Sequence, residues 1–430
     1  MVGFKPIAFS RLNVSGVFSG YLPVVYSFWV YRVYRFRKKY IEDKNRRQEN
    51  PMNEFVERKK RYLFIDFDIH NLLTANGRPV GGSCLRQYYF GLGLREQGHE
   101  VGYLTHMGID SALGEKSGFT IVPGFDPIWG IRCLRWLYYR FPRLIYAVRG
   151  YNPDYVIQTS SGNITGLIAM ICKILSITFV HLIASDIDVD HRLKQKTSRF
   201  QYQVYRWGLW NCPVIVCQNQ YQAECLRKRF PEKKIGLLPN PIQISETISK
   251  HNPAEHRSFF AWVGNFRSIK NLQRLLRIVK KHQDVHFVVA GKRIENSDSM
   301  TDSALRDLEK CRNVNFTGYL SRSEVFELLA RAKALLNTSD AEGFPNTYLE
   351  ALLAGTPVIS LGIDPNSLLS RHEMGFVTTE AEIGKVFIDG FTSFDYESFH
   401  WKALEYLRKN HDHRLIARKL CEFLESPYPV

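Results

Sequence analysis

Two glutamates, Glu342 and Glu350, stand eight positions apart in the string SDAEGFPNTYLEALLAGTPVISL, residues 339–361. Turn formers separate them: Gly343, Phe344, Pro345 and Asn346, followed by Thr347. Backbone N–H groups at the start of a helix, where no carbonyl precedes them to accept, form a ready site for a phosphate or another anion. Two cations, Arg267 and Lys270, lie upstream in GNFRSIKN, where they can neutralise a diphosphate leaving group. Gly81-Gly82 lets a backbone approach such a group closely. Asp186, Asp188 and Asp190 alternate in ASDIDVDHR, a spacing open to a metal site, a solvated loop or a ligand-lining loop. Each set also has a plainer reading, namely solvated charges on an ordinary βαβ unit.

The elements that must hold these residues are legible in the apolar pattern. KALLNTS (333–339) and TPVISL (356–361) read as strands, and TYLEALLAG between them as a helix. Leu349, Leu352 and Leu353 lie on one side of that helix, with Gly355 closing it. Glu342 then falls in a turn at a strand's carboxyl end, and Glu350 about two helical turns below. RYLFIDFD (61–68) reads as a buried parallel strand, followed by a glycine loop, a helix ending at Gly98 and the strand EVGYLTH. DYVIQTS, ITFVHLI and PVIVC continue the strands, with His181 inside one of them. FFAWVG opens a second α/β series, with an amphipathic helix at Ile269, Leu272, Leu275, Leu276, Ile278 and Val279 and a further strand through Val288 to Gly291. The polar stretch 243–257 reads as a linker, dividing the chain into 61–242 and 258–400, with terminal helices in 401–430.

The run EGFPNTYLEALLAGTPVIS resembles the acidic-x7-acidic (EX7E) signature of retaining glycosyltransferases with the GT-B architecture, family 4 type. VGNFRSIKN is similar to that family's VGNxRxxKN variant. The resemblance covers about residues 61–400. It implies two Rossmann-like domains facing a cleft, and transfer of a sugar from a nucleotide-diphosphate donor (UDP- or GDP-sugar) to an acceptor hydroxyl. It implies that Arg267 and Lys270 hold the donor's phosphates, that Glu342 contacts the sugar and that Glu350 binds the ribose. The donor set it implies further comprises Gly81, Gly82, Gly264, Gly291, Tyr319, Leu320, Gly343, Phe344, Pro345, Asn346 and Thr347. It implies no cofactor and no metal, and a last helix that crosses back to the first domain. Many relatives carry a histidine at the strand end before Asp186; here Ala184 and Ser185 stand there, so Asp186 is the first choice for the acceptor-side polar residue. A catalytically inactive binding subunit of the same fold stays open as the alternative. A dinucleotide-dependent dehydrogenase does not, because the G-x-G-x-x-G fingerprint is missing.

The chain has 430 residues, 45% of them hydrophobic, enough for two cores, and its net charge of +16 calls for a polyanionic partner. Its eight cysteines include no C-x-x-C pair, which fits reduced thiols in a cytoplasmic protein. Residues 1–60 carry 13 Lys or Arg against 5 Asp or Glu around an uncharged aromatic interval. An interfacial anchor, a disordered extension that a start at Met52 would leave out, and a membrane span are three readings of it. A second basic-aromatic stretch, 127–153, interleaves five arginines with tryptophan and tyrosine. It reads either as a surface helix with a buried aromatic face or as a membrane-interface segment; no nucleic-acid motif accompanies it. The expected acceptor is a lipid-linked or membrane-proximal glycan, met on an anionic membrane surface.

Overall fold

The computed structural model of the chain describes residues 59–74, 81–132, 134–159, 161–245, 257–294 and 298–427. The N-terminal extension up to residue 58 and most of the expected linker lie outside the described residues.

Seven strands form the first sheet: β1 (Arg61–Ile65), β2 (Glu100–Thr105), β3 (Thr120–Pro123), β4 (Tyr155–Thr159), β5 (Thr178–Leu182), β6 (Val214–Cys217) and β7 (Lys234–Leu237). Their order is β3-β2-β1-β4-β5-β6-β7, all pairs parallel. Near-continuous apolar runs such as Tyr62-Leu63-Phe64-Ile65 suit strands covered by helices on both faces. Six strands form the second sheet: β8 (Phe259–Val263), β9 (Phe287–Ala290), β10 (Val314–Gly318), β11 (Ala332–Asn337), β12 (Val358–Ser360) and β13 (Gly375–Val377). Their order, β10-β9-β8-β11-β12-β13, repeats the same plan. Each sheet reverses its winding once, between β1 and β4 and between β8 and β11. Such switch points leave a crevice beyond the strands' carboxyl ends, where α/β proteins bind ligands.

Helix α1 (Gly82–Glu96) follows the Gly81-Gly82 pair, and α2 (Leu272–Lys281) follows Lys270. Asn271 caps α2 from a left-handed backbone (φ 50°), its side chain accepting from the Arg274 N–H at 2.9 Å. Asparagine tolerates that conformation better than most residues. Helix α3 (Asn346–Leu353) buries Leu349, Leu352 and Leu353, and Gly355 leaves it with φ 67°. The helix begins only at Asn346, so Glu350 is little more than one turn into it, not two turns below Glu342. The turn 342–345 is extended by Pro345.

The two sheets share a core. One hydrophobic cluster includes Phe64, Tyr89, Phe344, Leu352, Leu404 and Leu420. The last helix, α4 (His413–Glu425), packs on α1 so closely that a side chain at Gly93 would meet Ala417 Cβ at 2.7 Å. His413 Nε2 lies 3.1 Å from Glu96 Oε2, and Ile242 N–H donates to the His411 carbonyl at 2.8 Å.

Of the two readings of stretch 127–153, the buried aromatic face holds only in part. The middle of the stretch forms a π-helical turn, Trp136–Arg140, running into α5 (Phe141–Tyr151). Tyr139 is buried, but Trp129, Trp136, Tyr138 and Tyr146 face outward.

Candidate active site

A cavity of about 630 Å³ opens at the carboxyl ends of β1, β4 and β8, beside both switch points. The first sheet contributes Asp66, Gln158 and Thr159, the start of α1 contributes Gly81 to Leu85, and the second half contributes Val263 to Asn265, Arg267, Lys270, Glu342 and Glu350. Of the residues singled out in the sequence, Gly81, Gly82, Gly264, Arg267, Lys270, Gly291, Tyr319, Leu320, Glu342, Phe344, Pro345, Asn346, Thr347 and Glu350 line it.

Lys270 Nζ meets Glu342 Oε1 at 2.5 Å, and Ser339 Oγ donates to the same oxygen at 2.7 Å. Both partners of the ion pair are largely shielded from water. The backbone holds them in place: Asp340 N–H donates to the Ile269 carbonyl at 2.9 Å, and Thr338 Oγ1 donates to the Lys270 carbonyl at 2.7 Å. Glu342 Oε2 carries no hydrogen bond among the described residues. Arg267 is exposed at the cavity, its guanidinium without a side-chain partner among the described residues. At the cavity end of the β8 and β9 strands, a side chain on Gly291 would run into the Gly264 carbonyl oxygen, so the close approach there requires glycine.

Glu350 lies deeper. Burial pushes its carboxyl up to about 7, with the nearby Arg322 guanidinium pulling the other way. Arg322 itself donates to the Tyr89 hydroxyl and sits 4.9 Å over that ring. At physiological pH Glu350 is therefore poised between acid and carboxylate, ready for a ligand whose donors favour the ionised form.

The turn between the glutamates joins the two halves of the molecule. Asn219 Nδ2 donates to the Gly343 carbonyl at 2.8 Å, and Asn240 Nδ2 to the Phe344 carbonyl at 2.9 Å and to Asn346 Oδ1 at 2.8 Å. Asn346 Nδ2 donates to the Gly82 carbonyl at 2.7 Å. Gly343 does not line the cavity. A Cβ there would collide with Gln218 Oε1 and lie 2.8 Å from the Ala184 carbonyl oxygen, so its backbone is part of the joint.

Asp186 does not line the cavity either. Its Oδ1 accepts from Asn219 Nδ2 at 2.8 Å and from Gln222 Nε2 at 2.9 Å, and burial raises its carboxyl above the usual range. Asp188 closes a capping box with Ser185 and accepts from Ser161 Oγ at 2.7 Å, while Asp190 pairs with Arg192 at 2.6 Å. The three alternating aspartates thus have separate sets of partners. Among the described residues no group of three or more His, Cys, Asp or Glu is arranged to hold a metal ion. His181 is a buried strand residue, 2.9 Å from Gln158 Oε1, and burial depresses it to about 3.

Two cavity carboxylates, Asp66 and Asp68, escaped the sequence reading, and Asp66 is the more buried. Asp66 follows β1 directly, accepts from the Asp68 N–H at 3.0 Å and from Gln87 Nε2 at 2.9 Å, and is pushed by burial up to about 6. FIDFD reads as one uninterrupted strand; only its position at the switch point marks Asp66 as a site residue.

Two parallel-sheet α/β domains with a cleft of this kind make up the GT-B fold. Residues 80–246 match the family model "Glycosyltransferase Family 4" and residues 243–382 match "Glycosyl transferases group 1". The chain belongs to the GT-B glycosyltransferases of the family 4 type. It is 25% identical over 307 residues to the alpha-monoglucosyldiacylglycerol synthase of Streptococcus pneumoniae, covering 66% of this chain and 68% of the relative. Sucrose-phosphate synthase of Thermosynechococcus elongatus shares the fold with a TM-score of 0.65 at 14% identity, over 85% of this chain and 98% of that one. A mutant of TarM from S. aureus, solved with fondaparinux, alpha-GlcNAc-glycerol and UDP, does so with a TM-score of 0.53 at 17% identity. That match covers 67% of this chain and 59% of TarM, so the chain spans less than two thirds of that protein.

Proposed function

We propose that this glycosyltransferase moves a sugar from a UDP- or GDP-sugar to an acceptor hydroxyl with retention of anomeric configuration. The acceptor in this reading is a lipid-linked or membrane-proximal glycan of surface polysaccharide assembly, met at the cytoplasmic face of a membrane. The observation that carries the reading is the juxtaposition of the Lys270–Glu342 pair, Arg267, which has no side-chain partner among the described residues, and the ionisable Glu350 around one cavity. Departure of a nucleoside diphosphate from a sugar leaves a sugar cation and a diphosphate anion, and fixed charges aimed at both lower the barrier most. Arg267 and Lys270 neutralise the diphosphate together with the first N–H groups of α3. Glu342, held by Lys270 and Ser339, accepts from sugar hydroxyls through its open Oε2. Glu350 accepts from the ribose hydroxyls. This charge set does the work without a metal ion.

On the acceptor side we assign the polar contact to Asp66 in place of Asp186, because Asp66 lines the cavity and Asp186 does not. The glycolipid-synthase relative and the basic surface support a membrane-borne acceptor. The test is calorimetric titration of the purified protein with UDP-, GDP- and ADP-sugars, with Glu350→Ala as control, followed by donor turnover and mass spectrometry of products formed in a membrane extract. One nucleotide class should bind and the variant should lose that binding. Unchanged binding in the variant would sink the assignment, and binding without any turnover would favour an inactive binding subunit.

A further inference from the structure

Beside the acceptor wall the surface turns apolar. Ile128 is 85% exposed, Ile131 66% and Leu137 70%, with Trp129, Leu134 and Tyr138 also outward. A soluble surface rarely gathers this many large apolar side chains within eleven residues unless something covers them. The loop is braced rather than slack. Arg140 Nη2 donates to the Pro127 carbonyl at 2.6 Å and Arg135 Nη1 to the same carbonyl at 3.1 Å, while Asp126 Oδ1 accepts from the Ile128 N–H at 2.7 Å. Two of the arginines thus hold the loop's shape, leaving Arg132 and Arg143 exposed around the apolar tip. Residues 127–153 contain no Asp or Glu.

The same pattern recurs on another helix on the same face of the sheet. The crossovers β3→β4, β4→β5 and β5→β6 all advance in one direction across the sheet. Right-handed connections therefore lay their helices on one face of it. These are α5, Asn163–Leu175 and Arg199–Trp210. The last exposes Phe200, Trp207 and Trp210 beside Arg199 and Arg206, again with no acid in the helix. Aromatic side chains with arginines, and no carboxylate to repel lipid phosphates, match the headgroup zone of an anionic bilayer.

The tip also connects to the cavity. Phe67 lines the cavity wall, its ring lies 5.5 Å from Phe125, and Phe125 lies 5.6 Å from the partly exposed Trp136. We infer that the face built by Ile128, Ile131, Leu137 and the arginines Arg132 and Arg143 docks on an anionic membrane surface, presenting the Asp66 side of the cavity to an amphiphilic acceptor. The link to the acceptor rests on the function proposed above; the docking itself does not.

The test is co-sedimentation of the full chain with phosphatidylcholine vesicles, with and without phosphatidylglycerol. The wild type should sediment with the anionic vesicles. Ile128→Asp/Ile131→Asp/Leu137→Asp should weaken that binding about tenfold or more, and Arg132→Glu/Arg143→Glu should abolish the preference for phosphatidylglycerol. Melting temperature and nucleotide-sugar binding should stay as in the wild type. A wild type that ignores vesicles, or variants that sediment as well as it does because another part of the chain carries the binding, overturns the docking face. So does a wild-type dimer that these substitutions split into monomers. Vesicle binding that follows the prediction in a protein that binds no nucleotide sugar leaves the face standing and removes the proposed function instead.

Discussion

Lys270 Nζ and Glu342 Oε1, 72 residues apart in sequence, lie 2.5 Å apart at the mouth of the cavity. Each is anchored through its neighbours' backbone, so the pair is set before any ligand arrives. A preorganised charge costs little reorganisation when a diphosphate leaves.

Replacing Lys270 by methionine keeps most of the side-chain volume and removes the charge. The expected loss in kcat/KM is about 10²–10³-fold, the range seen when one electrostatic stabiliser is removed. Arg267→Ala, at an exposed position, should cost about tenfold, since solvent screens its charge more. Steady-state kinetics with the matching donor would check both, and equal losses would argue against the different environments drawn for the two cations.

Glu350 gives donor binding a pH signature. Its folded-state carboxyl sits at about 7, above an unfolded value of about 4.3. Hydroxyl donors of a ligand favour the ionised form, so affinity should level off above pH 7 and fall by up to about tenfold per unit below it. Without ligand the same shift means that this group's contribution to stability declines as pH rises from about 4.3 to 7. Calorimetric titrations between pH 6 and 8 would show the slope, and Glu350→Gln should flatten it.

Gly343→Ala should destabilise the protein by about 1–3 kcal/mol, because the new methyl meets the Ala184 carbonyl and the ends of Gln218 and Gln222. Gly81→Ala, where nothing lies within 4 Å of the added carbon, should leave the urea midpoint unchanged. Matching shifts in the two variants would contradict the joint described at Gly343.

Asp66→Asn keeps the side chain's shape and one acceptor while removing its charge. Donor affinity should stay within about twofold, whereas transfer to acceptor should fall by about 10–10²-fold, the scale of one lost charged hydrogen bond. A variant that loses donor binding to the same extent would move Asp66 from the acceptor to the donor side.

Much of this molecule is determined along the sequence. Apolar runs of strand length alternate with helical periodicity because parallel strands are covered on both faces, and that pattern alone yields two α/β halves. Several cavity-lining residues were legible too, since Glu342, Arg267 and Lys270 lie at strand ends and helix starts, where local chain geometry decides exposure. Three matters needed the tertiary structure. Asp66 looks like any strand residue until the winding reverses beside it. Asp186 looks like a site residue until Asn219 and Gln222, more than 30 positions on, take up its carboxylate. The aromatics of 127–153 read either as a buried face or as a membrane-interface segment, and only the packed fold shows which of them stay exposed among the described residues. Local sequence sets periodicity and turns; which polar group faces the cavity and which apolar group faces water depends on neighbours far away in the chain.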